Sequence, residues 1–119
     1  MDRRIQVVVS ELEAQISSPR NLSEIARNVN LSSSRLRHLF KSETGQTPAQ
    51  YLKELRMERA ETLMRTTFLS VKEVVNRAGL LNSSSFVREF KRIYGLPPTA
   101  YRRSVLHDSK ASSKRHKKR

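Results

Sequence analysis

An all-α fold follows from three features of the chain. Apolar residues recur at three- and four-residue spacing, helix-start signatures stand in front of those stripes, and glycine and proline fall between the periodic segments rather than within them. The pattern predicts seven helices.

The first helix is predicted from about Arg3 to Ser17, with Ile5, Val8, Val9, Leu12 and Ile16 on one side and Pro19 just past the end, where it no longer breaks the ladder. Asn21-Leu22-Ser23-Glu24 resembles a capping box with Asn21 as cap, and it opens a short second helix whose stripe is Leu22, Ile25, Ala26 and Val29. A tight turn at Asn30 and Leu31 leads to Ser32. From there the third helix buries Leu36, Leu39 and Phe40 and stops near Gly45, whose missing Cβ suits a left-handed helix end.

Thr47-Pro48-Ala49-Gln50 combines a threonine cap, a first-turn proline and a glutamine at the reciprocal position. The fourth helix runs from there to about Arg65, turning Tyr51, Leu52, Leu55, Ala60, Leu63 and Met64 inward. At ~1.5 Å per residue it spans roughly 27 Å. Ser70-Val71-Lys72-Glu73 is a second capping box; Val71, Val74, Val75 and Ala78 form the fifth stripe and Gly79 ends it. Asn82 or Ser83 starts the sixth helix, with Phe86, Phe90 and Ile93 inward and Gly95 after it. Pro98 starts a short seventh holding Tyr101 and Val105.

Half of this pattern is a repeat. Glu24 matches Glu73, Ile25 matches Val74 and Leu31 matches Leu80; after one extra residue in the second copy, Phe40 matches Phe90, Gly45 matches Gly95, Pro48 matches Pro98 and Tyr51 matches Tyr101. Each copy is a short helix, a turn and a longer helix with a small polar first turn, which is the sequence form of a helix-turn-helix. In LSSSRLRHLF (31–40) the leucines and Phe40 anchor the helix, leaving Ser33, Ser34, Arg37 and His38 to face outward. That N-terminal half is what a recognition helix places in the major groove, with free backbone N–H groups for phosphate and Arg37 as a bidentate partner for guanine. In the second copy the outward set is Ser83, Ser84, Val87 and Arg88, with Arg88 as the base reader. The fourth helix is expected to hold the two reading helices near the ~34 Å of one DNA turn, so that one chain acts as its own dimer.

Charge agrees with a nucleic-acid partner. The 119 residues hold 24 Lys and Arg against 11 Asp and Glu, a formal charge of +13, and such an excess speaks of partners rather than of fold. Six of those cations lie in 109–119 without an acid, yet the body remains basic. With no cysteine, disulfides and thiolate chemistry are excluded, which fits a reducing compartment. No apolar run reaches the ~18 to 20 residues that span a bilayer, and the N-terminus has no signal-peptide form. The expected protein is cytoplasmic and makes no membrane contact.

The sharper readings have plain competitors. Phe40, Phe90, Tyr51 and Tyr101 are better read as core than as base-stacking aromatics, because they repeat among apolar neighbours. Ser32 and Asn82 are caps. Arg56 and Arg59 are expected to pair with Glu54, Glu58 or Glu61 rather than with phosphate. His38, His107 and His116 lack metal-ligand spacing, so no metal or other cofactor is expected. No nucleophile–base pair, glycine-rich phosphate loop or paired carboxylates point to an enzyme.

Over about residues 4–105 the chain resembles the DNA-binding domain of the AraC/XylS family of bacterial transcription regulators. The likeness is carried by VKEVVNRAGLLNSSSFVREFKRIYGLPPTAYRR, with its serine-phenylalanine reading helix, FKR, Gly, Pro and closing Tyr-Arg, and by TPAQYLKELRMERAETLM as linker helix. It implies two helix-turn-helix lobes, sequence-specific binding of double-stranded promoter DNA and activation through contact with RNA polymerase. The base-facing positions it implies are Ser34, Arg37 and His38, then Ser83, Ser84 and Arg88. Leu80 stands where the family commonly has Phe, and Val75 where Ala is usual, so packing of the fifth helix on the sixth is expected to differ. Relatives that repair alkylation do so at cysteines, which this chain lacks.

The resulting domain map takes 1–107 as one AraC-type DNA-binding domain and 108–119 as a disordered basic tail. Within the domain lie a first helix-turn-helix at about 21–45, a linker helix at about 48–66, a second helix-turn-helix at about 70–95 and a closing helix at about 98–106. The DNA-binding unit is expected to be monomeric, as a stand-alone regulator or a domain cut from a longer one. The competing readings are a sequence-independent nucleic-acid binder driven by basic surface and tail, and a helical protein-interaction adaptor.

Overall fold

The computed structural model describes residues 1–14, 16 and 22–106. Among them are seven helices and no strand: α1 (Arg3–Ala14), α2 (Leu22–Asn28), α3 (Ser33–Thr44), α4 (Pro48–Thr66), α5 (Val71–Arg77), α6 (Ser83–Tyr94) and α7 (98–106). The all-α expectation is met. Asn21, Ser17, Pro19, His107, His116 and the tail 108–119 lie outside the described residues. No helix among those described is long and apolar enough to cross a membrane.

The chain divides into two compact units, with the boundary between Arg56 and Met57 inside α4. In the first unit Ile5, Val8 and Leu12 of α1 meet Ile25 and Ala26 of α2 and Leu36 and Phe40 of α3, and Tyr51, Leu52 and Leu55 of α4 close over them. Phe40 and Tyr51 meet edge to face with centroids 5.5 Å apart, a favoured aromatic geometry. Tyr51 also donates its hydroxyl to Glu13 at 3.1 Å. Ile16, expected at the end of the α1 stripe, is instead half-buried in a bend; its carbonyl accepts from Arg56 Nε at 3.3 Å. Leaving the helix frees that carbonyl for a partner forty residues away.

Arg56 therefore departs from the expected acid pairing: neither it nor Arg59 has an ion pair among the described residues. Glu54 accepts from Gln46 and Glu61 pairs with Arg65. Partial burial lowers the Arg56 pKa from its ordinary value, because a desolvated guanidinium holds its charge less easily.

The second unit is built around Met57, Ala60 and Met64 of α4, Val74, Val75 and Ala78 at α5, and Phe86 and Phe90 of α6. Tyr94, not Ile93, takes the inner position at the end of α6. Its ring lies 4.6 Å from Phe90 and 5.7 Å from Tyr101, and Ile93 is left 47% exposed. Both residues follow the Phe86–Phe90 stripe at helical spacing, and the one whose ring packs, tilted, on Phe90 and Tyr101 takes the inner place. Leu80 packs half-buried against this core and Val75 is buried in it, so both departures from the family pattern find apolar surroundings.

Arg102 of α7 ties the unit together by donating Nε to the Met64 carbonyl at 2.9 Å and Nη2 to the Leu69 carbonyl at 2.7 Å. The first is one of the carbonyls that the end of α4 leaves without a partner inside the helix. Tyr101 donates its hydroxyl to Glu61 at 2.5 Å. Burial, then that carboxylate, push the Tyr101 pKa up to about 12.

Candidate nucleic-acid interface

Each unit holds the same device for presenting a helix start. The turn after the short helix uses one left-handed residue, Asn30 at φ 59° in the first unit and Gly79 at φ 76° in the second, positions that Asn and Gly occupy at least cost. Next, Leu31 donates its N–H to the Ala26 carbonyl and Leu80 to the Val75 carbonyl, both at 2.9 Å. Ser32 then caps α3 by accepting from the Arg35 N–H, and Asn82 caps α6 by accepting from the Ser85 N–H. At the far ends Gly45 and Gly95, at φ 81° and 86°, each return an N–H to a lysine carbonyl, Lys41 or Lys91, at 2.8 Å. The repeat seen in the sequence is thus a repeat of backbone hydrogen bonds.

The buried side of each of these helices is set by Leu36 and Phe40 in α3 and by Phe86 and Phe90 in α6. Away from that side, Ser34, Arg37 and His38 are exposed on α3, and Ser83, Ser84 and Arg88 on α6. Two of the outward-facing residues named from sequence are placed differently. Ser33 is half-buried, its hydroxyl sharing a 2.9 Å hydrogen bond with that of Ser23, which ties α3 to α2. Val87 is half-buried against the core of its unit, as an apolar side chain one position past Phe86 can be. Two further exposed residues border the set, Arg35 in the first turns of α3 and Leu81 ahead of α6. Leu81 is the extra residue in the second copy of the repeat, and that insertion was the signal for it.

First-turn charge separates α3 and α6 from the short helix that precedes each, though not from α1 and α4, which also start without an acid. The supporting helices α2 and α5 carry an acid in the first turn, Glu24 and Glu73, as the positive end of a helix favours. At α5 the Ser70 N–H holds the Glu73 carboxyl below its ordinary range. Neither α3 nor α6 has an acid there. Their N-terminal dipole ends therefore carry no acid of their own, and the cations near them are Arg35 and Arg37, exposed on α3, and Arg88, exposed on α6.

The comparisons with known proteins point the same way. A family model described as a helix-turn-helix domain matches residues 25–104, and the AraC-type DNA-binding regulator from Chromobacterium violaceum superposes with TM-score 0.77 at 28% identity, over 86% of this chain and 91% of that one. This chain belongs to the AraC/XylS family.

The DNA-binding domain of AdpA, solved in complex with a target DNA, is another AraC-type neighbour: TM-score 0.77, 27% identity, covering 87% of this chain and 93% of that one. Among curated relatives, the transcriptional activator RhaR of Mannheimia succiniciproducens is 36% identical over 99 residues, which is 83% of this chain and 36% of RhaR. The chain spans about a third or less of the length of the first curated relatives it matches. The AraC/XylS match covers DNA-binding domains of transcription regulators and is not an enzyme class.

Proposed function

We propose that this chain is the sequence-specific DNA-binding unit of a bacterial transcription regulator, an activator that works in the cytoplasm, with residues 1–107 as the domain. α3 and α6 enter successive major-groove segments of one promoter site. Arg37 and Arg88 read guanine through bidentate contacts; Ser34, His38, Ser83 and Ser84 let the helix starts approach bases and phosphates closely, and Ser33 and Val87 border them. The unit binds as a monomer and, once seated, contacts RNA polymerase. The observation that carries this reading is the matched pair of acid-free helix starts, each held by the same turn, cap and core phenylalanine and each bearing an exposed arginine.

Selection from a pool of randomised duplexes, repeated over a salt series, tests it. The phosphate term weakens with salt while base readout persists, so the sequence preference should survive as affinity falls. Arg37→Ala and Arg88→Ala should each relax preference at their own base pairs by about 1 to 3 kcal/mol. Uniform weakening on all sequences would leave a sequence-independent binder, and no DNA binding at all would leave an adaptor.

A further inference from the structure

The two units differ by one residue between a fixed turn and a fixed cap. Leu31 runs directly into the cap Ser32, whereas Leu80 is followed by Leu81 before the cap Asn82. Leu31 and Leu80 are matched by the same 2.9 Å backbone hydrogen bond and by half-burial against their own cores. Ser32 and Asn82 are matched as caps. Leu81 alone has no counterpart.

It is also 100% exposed. A single exposed leucine on a protein surface ordinarily needs no explanation, but this one stands at the tip that leads α6. Ser83, Ser84 and Ser85 beside it are exposed and short, and the Asn82 side-chain oxygen is already taken by the Ser85 N–H at 3.0 Å. Leu81 is the longest apolar reach at that end of the helix. On the major-groove edges of the base pairs, the apolar group among the hydrogen-bonding ones is the C5-methyl of thymine.

We propose that Leu81 is an apolar base reader, packing on the methyl of a thymine at the margin of the segment entered by α6. The inference rests on the DNA-binding reading above. It gives the second unit a means of discrimination that the first lacks, and one that displaces no counterions.

Deoxyuridine tests it, because replacing thymine removes the methyl and keeps the base pair. The full 119-residue chain and its Leu81→Ala variant are titrated against the selected duplex and against duplexes with each thymine singly replaced. At one thymine the wild-type chain should lose about fourfold in affinity, the worth of one buried methyl. Leu81→Ala should lose a similar factor on the thymine duplex and nothing further on the matching uridine duplex, with an unchanged salt slope. Because the side chain is fully exposed, the variant should unfold as the parent does, and Leu81→Ser gives a second substitution with the same expectation. Equal wild-type binding to thymine and uridine at every position, or a Leu81→Ala variant that keeps the uridine penalty, overturns the proposal. Selection would still return a sequence in that case, so the DNA-binding reading stands; a selection that returns no preference overturns both.

Discussion

In the first unit the hydroxyl of Tyr51 reaches Glu13, on α1; in the second the hydroxyl of Tyr101 reaches Glu61, on α4. Both tyrosines set their rings edge-on to the matching phenylalanine, Phe40 at 5.5 Å and Phe90 at 5.1 Å. The outward residues diverge instead. Where α3 has Arg37 and His38, the matched positions of α6 are Val87 and Arg88, and where Ser33 bonds to Ser23, Ser83 stands exposed opposite Lys72 in the repeat register. The difference teaches which residues each task constrains. Turn and cap positions keep a function in different residues, a left-handed Asn30 or Gly79 and an accepting Ser32 or Asn82, and the ring positions keep the residue itself. On the outward surface Ser34 and Ser84 agree, while Arg37 and His38 give way to Val87 and Arg88.

The widest test of that comparison removes the matched rings. Phe40→Ala and Phe90→Ala should each cost about 3 to 5 kcal/mol in denaturant unfolding. The second should cost more, because Phe90 meets Phe86, Tyr94 and Tyr101 and each aromatic pair adds about 0.5 to 1.5 kcal/mol beyond burial. Equal losses would mean that the richer ring cluster adds nothing.

Next come the matched glycines. A Cβ at Gly45 or Gly95 would meet no atom within 4 Å, so Gly→Ala there exposes backbone strain alone. Each change should cost about 1 to 2 kcal/mol, and the two should agree closely by thermal or denaturant unfolding. A large disparity would show that the two helix ends are not equivalent.

Caps should cost less, and the cap of a short helix can be set against that of a longer one. Ser70 and Glu73 exchange hydrogen bonds in both directions, at 3.1 and 3.2 Å, whereas Ser32 accepts from Arg35. Ser70→Ala should therefore cost more than Ser32→Ala, within the usual range of about 0.5 to 2 kcal/mol.

The effect confined to the narrowest range of conditions is a pH dependence of the second unit. Its folded form holds the Tyr101 proton up to about 12, against an ordinary value of 10.0. The unfolded chain gives that proton up first, so the contribution is present below pH 10 and is lost as pH rises towards 12. Burial, with Glu61 and Glu58, raises Tyr94 in the same direction. Tyr101→Phe should flatten the fall in stability across that window, and an unaltered slope would assign it elsewhere.

What the sequence disclosed was mostly local. Thr47 and Gln50 do exchange the hydrogen bonds their spacing promised, and Ser70 with Glu73, Gly45 and Gly95 also sit where short-range chemistry requires. Choices made by tertiary packing were less legible. Ile93 and Tyr94 are equivalent by helical period, and only the rings of Phe90 and Tyr101 decide between them. Met57 is buried against the second unit although its neighbours Arg56 and Glu58 conceal it in the sequence. The Arg56 contact to Ile16 and the Arg102 contacts to Met64 and Leu69 join residues far apart in the chain, with no periodic signature. On the candidate interface, exposure of Ser34, Arg37, His38, Ser83, Ser84 and Arg88 follows from the burial of the alternating apolar positions. The Ser23–Ser33 bond and the half-burial of Val87 depend on how each helix rests on its unit.

Methylation interference on the selected duplex tests most directly whether two helices of one chain read one site. The account predicts two sensitive major-groove segments about 10 base pairs apart, one fading with Arg37→Ala and the other with Arg88→Ala. A single sensitive segment, or two that fade together with either substitution, would contradict it.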